Sequence, residues 1–205
     1  MRKRKNIINA EEIIGSLDIS MLLSGVKGAR LKDPEKENRF VKSYSLLIDF
    51  VKTVNVYNAK TFTAIAHMVY GWMPTMLEFY EFENDADYQI LGEKIRLGNL
   101  GVPDFEYLKK HINNSVVGAS KFCHFINPDK YAIWDSRVST YIFKNKAYGL
   151  VNNTHNYMCY NEKLNELKNE NLDELKEVLR GKINLSGNET NLRILELSLF
   201  IASSQ

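Results

Sequence analysis

A carboxylate and an amine lie fourteen residues apart in the part of this chain whose side chains could do chemistry. Asp135 is predicted to open a helix, whose dipole and free N–H groups would keep the carboxylate ionised. Such an anion stabilises positive charge that develops on a reacting carbon. Lys121 lies on a preceding predicted helix, and a lysine made neutral by burial can attack carbon and form a Schiff base. The two side chain types together have the chemistry to cleave a bond at a carbon that becomes positively charged.

Each of these residues also has a structural interpretation. An Asp followed by Ser is an ordinary helix N-cap, and a lysine on the flank of a helix is usually solvated. His124, one turn after Lys121, could line a site or be a hydrogen-bonded core histidine. No CxxC pair occurs, and the other histidines show no metal-ligand spacing, so we predict no metal, no metal cluster and no cofactor. These histidines are His67, His111 and His155.

The surroundings of the pair favour a hairpin between two helices. A helix that starts near residue 102 stops at Asn113-Asn114, and a link of residues 115–118 leads to a helix over about 119–126. Backbone N–H groups at such a helix start can hold a phosphate. Residues 107–146 contain seven basic side chains, among them Lys146, and two acidic ones. That excess suits phosphate neutralisation, and it is equally typical of a solvated face.

The segment from Val116 to Val138 resembles the hairpin-plus-aspartate signature of the helix-hairpin-helix DNA glycosylases, which include endonuclease III and the oxoguanine glycosylases. Val117-Gly118 is similar to the end of the family's turn, Lys121 lies near its lysine, and Ile133-Trp-Asp-Ser-Arg-Val138 resembles its aspartate segment. The resemblance implies that Asp135 stabilises the sugar cation as the N-glycosidic bond breaks. It makes Lys121 the candidate nucleophile of an additional lyase activity.

The resemblance also implies a partner, double-stranded DNA with a damaged or modified base. An oxidised purine is the default substrate, and a modified base of phage DNA would give a role in phage defence. A flipped base needs a pocket and stacking partners. The implied pocket or stacking residues are Trp134, His124 and Trp72, with Tyr70 and Met73 in a duplex-probing loop. The implied nucleic-acid contacts are Asn114, Ser115, Val117, Gly118, Ser120 and Arg137.

Several details differ from the family pattern. Arg137 replaces the customary histidine, Gly118 lies one position farther from Lys121, and the separation of Lys121 and Asp135 is shorter. Two alternatives therefore stay open. One is a non-catalytic DNA-binding module with the glycosylase fold, and the other is an all-α interaction protein in which Asp135 is only a helix cap.

Composition predicts a compact all-α fold. The chain has 205 residues, of which 44% are hydrophobic and 25% charged, with only four prolines. We expect one domain over 1–205, with the hairpin and catalytic segment at about 103–144. No apolar run is long enough for a membrane span, so we expect a cytoplasmic protein with no membrane partner. The N-terminal segment Met1–Lys5, which contains four basic residues, is either a phosphate-contacting arm or a solubilising tail.

Apolar spacing predicts the remaining helices. Asn58 should cap a helix over 59–72, and Gly98 should end one over 86–97. Residues 131–134 should be extended, leading to a helix that begins near Asp135. The other predicted helices cover about 10–24, 37–54, 75–82, 160–179 and 190–201, and residues 26–37 are expected to form a loop.

Overall fold

The computed structural model describes residues 9–72, 75–144 and 149–204. Over these ranges the chain forms helices and no strand, which confirms the predicted all-α fold class. In the same ranges no helix is both long and apolar enough to cross a membrane. Met1–Lys5, Met73 and Lys146 lie outside the described residues. The helices are α1 (Ala10–Gly15), α2 (Ile19–Gly28), α3 (Pro34–Lys52), α4 (Ala59–Trp72), α5 (Asp85–Leu97), α6 (Val102–His111), α7 (Val116–Ile126), α8 (Ser136–Ile142), α9 (Thr154–Leu167), α10 (Asp173–Arg180) and α11 (Asn191–Ala202).

Local capping chemistry sets three helix ends as predicted. Asn58 Oδ1 accepts a hydrogen bond from the N–H of Thr61 and begins α4. Gly98 ends α5 with a φ of 75°, a left-handed conformation in which glycine carries no steric penalty. Asp135 is the N-cap of α8, because its Oδ1 accepts from the N–H of Arg137 at 2.9 Å.

Two segments that the sequence predicts as single helices are each divided between two helices. Residues 10–24 form α1 and the start of α2, because Asp18 accepts from the N–H of Met21 and starts a new helix. Residues 160–179 are likewise divided between α9 and α10. The predicted loop over 26–37 is shorter than expected, since α2 reaches Gly28 and Pro34 already lies in the first turn of α3.

The helix predicted over 75–82 is absent. This segment runs beside the turn between α6 and α7, with an antiparallel bridge between Phe79 and Ile112. The amide of Asn113 accepts from the N–H of Glu78 and donates to the carbonyl of Met76, so it satisfies backbone groups that a helix would have paired internally. The side chain of Met76 is 87% exposed beside this turn.

The hairpin between α6 and α7 begins earlier than predicted. Its left-handed residues are Asn113 and Asn114, with φ of 53° and 46°. Ser115 caps α7 by accepting from the N–H of Gly118 at 3.1 Å. Gly118 therefore lies inside the first turn of α7, and its assignment to the turn was wrong. Glycine is needed there because a Cβ would lie 2.1 Å from the hydroxyl oxygen of Tyr70.

The core is one contiguous cluster to which each of the helices contributes a buried apolar residue. Helix α7 lies within it and packs against α3, α4, α5 and α6. Helix α11 packs against α2, α8, α9 and α10. Polar side chains on α7 and α11 are consequently surrounded by protein. Three of them, Lys121, Arg193 and Glu196, line one cavity.

Candidate active site

A cavity of about 460 Å³ lies where α3, α4, α7, α8 and α11 meet. Its volume is within the range of small-molecule sites, about 300–1,000 Å³. The described lining contains four basic and three acidic side chains next to aromatic rings. The charged side chains are Lys36, Glu37, Lys121, Asp135, Arg137, Arg193 and Glu196.

Lys121 and Asp135 form an ion pair in the wall of this cavity. The Nζ of Lys121 donates to Oδ2 of Asp135 at 2.9 Å, and the two side chains are 9% and 18% exposed. The same nitrogen lies 5.8 Å from the centre of the Trp72 ring. The two residues that the sequence predicts to act together are therefore in direct contact, with the carboxylate on the more accessible side.

The extended segment before Asp135 is held by side chains from three helices. The N–H of Ala132 donates to Asn161 of α9 at 2.7 Å, and the N–H of Trp134 donates to Ser120 of α7 at 3.1 Å. The N–H of Ile133 donates to Glu196 of α11. These acceptors replace the partner strand that an extended segment would otherwise need. They fix the position from which Asp135 starts α8.

The carboxyl group of Asp135 stays ionised despite its burial. Burial alone would raise its pKa, but attraction to Lys121, the hydrogen bond from that lysine and the N–H of Arg137 lower it more. The net result is a pKa below the ordinary value of 3.8. An anion is therefore present at neutral pH at the edge of the cavity, as the sequence predicts for a helix N-cap.

A second ion pair lines the cavity. Arg193 and Glu196, one turn apart on α11, are bonded to each other, and their side chains are 6% and 2% exposed. The guanidinium carbon of Arg193 lies 4.2 Å from the centre of the Tyr44 ring. Sequence reasoning missed this pair, although two charges in an otherwise apolar helix were a visible signal.

Aromatic rings form one wall of the cavity. Trp72 donates its indole N–H to the carbonyl of Phe40 and meets that residue's ring edge-on at 6.0 Å between ring centres. Tyr70 is 4% exposed, and burial raises its pKa to about 12. Phe200 lies opposite Arg137, whose guanidinium is 3.9 Å from its ring centre. Trp72 therefore lines this cavity.

Three other predicted site residues lie in the core. Trp134 is fully buried, and its indole N–H donates to the carbonyl of Val151 at 2.8 Å. His124 donates from Nδ1 to the carbonyl of Tyr131, and its Nε2 accepts from Tyr44. Burial lowers the pKa of His124, so the ring is neutral. The described lining of the cavity includes neither residue, nor Ser120, whose hydroxyl is buried between α7 and Trp134.

The hairpin itself offers fewer free amides than the sequence implies. The N–H of Val116 donates to Asn152 at 2.8 Å, and the amide of Asn152 donates in turn to the carbonyl of Asn114. The N–H of Gly118 is used by Ser115. Within the described chain, Val117 is the remaining first-turn residue whose N–H has no hydrogen-bond partner.

Fewer basic side chains of residues 107–146 are free to contact phosphate than the sequence count suggests, because three of them form ion pairs. Lys109 and Lys121 are buried in ion pairs, the former with Glu106 at 2.8 Å. Arg137 lies 3.4 Å from Glu37 at the cavity. The basic side chains of this window that are exposed in the described chain are Lys110, Lys130 and Lys144.

One group of described side chains has metal-ligand types, although the sequence predicts no metal ligands. The side chains of Glu11, His155 and Cys159 place one ligand atom each within 4.8 Å of one another. His155 and Cys159 are one turn apart on α9, with 3.7 Å between Nε2 and Sγ. Carboxylate, imidazole and thiolate are zinc ligands, so this trio could hold a metal ion.

Comparisons with protein-family models, with curated proteins and with solved structures found no match for this chain.

Proposed function

We propose that this protein is a DNA glycosylase that removes a damaged or modified base by cleaving its N-glycosidic bond. The observation that carries the proposal is the 2.9 Å contact between Lys121 and an ionised Asp135 in the wall of a base-sized cavity. The local resemblance of residues 116–138 to the helix-hairpin-helix glycosylases points in the same direction.

Asp135 supplies the electrostatic part of the proposed reaction. As the bond between C1′ and the base nitrogen breaks, the base leaves with the electron pair and the sugar acquires positive charge. A carboxylate stabilises that charge, and its effect is large in a site with little water. The Asp135 side chain is 18% exposed, so it is accessible from the cavity while remaining largely desolvated.

Two nucleophiles are compatible with this arrangement. Water can add to C1′ and give an abasic site, with Lys121 holding the carboxylate in place. Alternatively, Lys121 transfers a proton to the carboxylate and attacks C1′ as the base leaves with the electron pair of the C1′–N bond. Cleavage of the C1′–O4′ bond then opens the sugar and gives a Schiff base, and loss of a C2′ proton expels the 3′ phosphate and cleaves the strand. In the folded protein the lysine nitrogen donates to Asp135, which favours the hydrolytic route as the main reaction.

The binding surface would combine the hairpin with the segment beside it. The Val117 N–H at the start of α7 suits one phosphate, and Lys110 and Lys144 are exposed in the same part of the chain. Met76 is 87% exposed next to the hairpin turn, and apolar side chains of this kind insert between bases when a duplex is opened. The cavity would then receive the flipped base against Trp72.

The test is a panel of duplexes, each with one modified base, incubated with the protein and assayed for abasic sites. Excision of at least one base is expected, and the panel includes oxidised purines and modified bases of phage DNA. Binding without excision across the panel would favour the non-catalytic DNA-binding module. Binding whose strength does not change with salt would favour an interaction protein, because phosphate contacts release counterions.

A further inference from the structure

The guanidinium of Arg193 is a buried polar group with unused hydrogen-bond donors. Arg193 is 5% exposed and lines the cavity. Its Nη1 donates to Glu196, while the buried Nε has no partner. Its Nη2 also makes no hydrogen bond to the described residues. Unpaired donors of a buried guanidinium are rare because each costs free energy, and Nη2, which unlike Nε keeps accessible surface, is the donor that a ligand in the cavity can reach.

The surroundings of Arg193 hold the guanidinium in one orientation. Glu196 binds one end, and that carboxylate is itself fixed by the N–H of Ile133. The ring of Tyr44 lies against the face of the guanidinium, 4.2 Å from its central carbon. A donor that is ordered in advance loses little entropy when a ligand binds, so its direction can be used for selection.

We infer that Arg193 is a specificity-determining residue, and that it selects bases that present a carbonyl oxygen to α11. This inference rests on the proposed function, because a base must enter the cavity. Arginine has donors and no acceptor, so a carbonyl oxygen satisfies it, whereas an exocyclic amino group in the same place leaves two donors facing each other. The substrate class is therefore a base with a carbonyl at C6 of a purine or at C4 of a pyrimidine, called a keto base below, as in guanine, hypoxanthine, uracil and thymine.

The test compares bases that differ in one exocyclic group. Binding of free hypoxanthine and adenine, and of free uracil and cytosine, is measured by quenching of tryptophan fluorescence, since Trp72 lines the cavity. Hypoxanthine should bind about 10- to 100-fold more tightly than adenine, and uracil more tightly than cytosine by a similar factor, which is the effect of one charge-assisted hydrogen bond. Excision from matched duplexes is measured in parallel.

The variants separate the guanidinium from general charge. Arg193→Met should remove the preference, and Arg193→Lys, which keeps a donor, should retain part of it. Arg180→Met is the matched control, because Arg180 is an exposed arginine on α10 that does not line the cavity, and its preference should equal that of the wild type. Circular dichroism verifies folding. If Arg193→Met does not fold, the proposal is decided by the preference of Arg193→Lys and by the preference of the wild type between the two members of each pair of free bases.

The outcomes for the two proposals are distinct. Selective binding that depends on Arg193, without excision from any duplex, contradicts the glycosylase proposal and supports a keto-base site. Equal binding of both members of each pair, or an unchanged preference in Arg193→Met, overturns the role of Arg193 even if excision occurs. The role of Arg193 is also overturned if no free base binds and if bases with the carbonyl and bases with the amino group are excised at the same rate.

Discussion

Two helical glycines should respond to alanine with opposite signs. A Cβ at Gly118 would lie 2.1 Å from the hydroxyl oxygen of Tyr70 and 3.0 Å from its Cζ. Tyr70 is 4% exposed, so its ring is packed against protein on the sides that do not face the cavity. Overpacking of this kind costs about 1–3 kcal/mol, while alanine in place of helical glycine gains about 0.5–1 kcal/mol. Gly118→Ala should therefore lose about 1–2 kcal/mol of unfolding free energy.

Gly71→Ala is the matched control, because Gly71 lies on α4 and, among the described residues, no atom apart from its chain neighbours and its own helix backbone lies within 4 Å of the added Cβ. It should gain up to about 1 kcal/mol. Combining Gly118→Ala with Tyr70→Phe removes the closest atom, so the alanine should cost less in the double variant than alone, with a coupling of about 1 kcal/mol. Urea denaturation measures the wild type, the three single variants Gly118→Ala, Gly71→Ala and Tyr70→Phe, and the double variant. Two results would refute the packing of Tyr70 against α7. One is stabilisation by both alanine substitutions, and the other is a change in unfolding free energy on Gly118→Ala that is the same with and without Tyr70→Phe.

Three further predictions concern the residues around Asp135. Ser120→Ala should lower the unfolding free energy by about 1–3 kcal/mol and slow excision, because the N–H of Trp134 loses its acceptor. Ser198→Ala is the control, since that buried hydroxyl donates only to a carbonyl of its own helix. An equal loss of excision rate in the two variants would count against a positioning role for Ser120. Borohydride during turnover should trap a covalent adduct only if the lyase route operates; Lys121→Ala should then abolish it and Lys109→Ala, a second buried and paired lysine, should not. The lowered pKa of Asp135 means that its contribution to stability is complete above its ordinary 3.8 and is lost as the pH falls through the lower folded-state value. Wild type should thus lose more unfolding free energy than Asp135→Asn between about pH 5 and pH 2, and parallel curves would contradict that shift.

The sequence predicts those elements whose ends depend on local chemistry. Asn58 and Gly98 set the start of α4 and the end of α5 through contacts within a few residues. Lys121 and Asp135 were singled out as a pair through a resemblance confined to a short segment, and their direct contact is seen only in the structure. Prediction was wrong where a distant residue competes for the backbone. The amide of Asn113 holds the segment at 76–78 in an extended form, and no pattern within that segment shows it.

The remaining parts of the site depend on tertiary packing. Arg193 reaches the cavity only because α11 packs beside the segment that precedes Asp135, some sixty residues earlier in the chain. Trp134 adjoins Asp135 in sequence but points to the opposite side of an extended segment, where it packs against Tyr160 with 4.8 Å between ring centres. Adjacency in sequence therefore does not by itself place a side chain in this site, because Trp134 lies outside the described lining while Asp135 and side chains of distant helices belong to it.

The central claim is that the carboxylate of Asp135 stabilises the transition state of base excision. Single-turnover excision by Asp135→Asn tests it most directly, with Asp129→Asn as the control, because Asp129 is an exposed aspartate outside the cavity lining. Asp135→Asn should lower the excision rate at least about 100-fold, while its affinity for the duplex stays within a few-fold of wild type. Asp129→Asn should match the wild type in both. An excision rate in Asp135→Asn equal to that of the wild type would contradict the assignment.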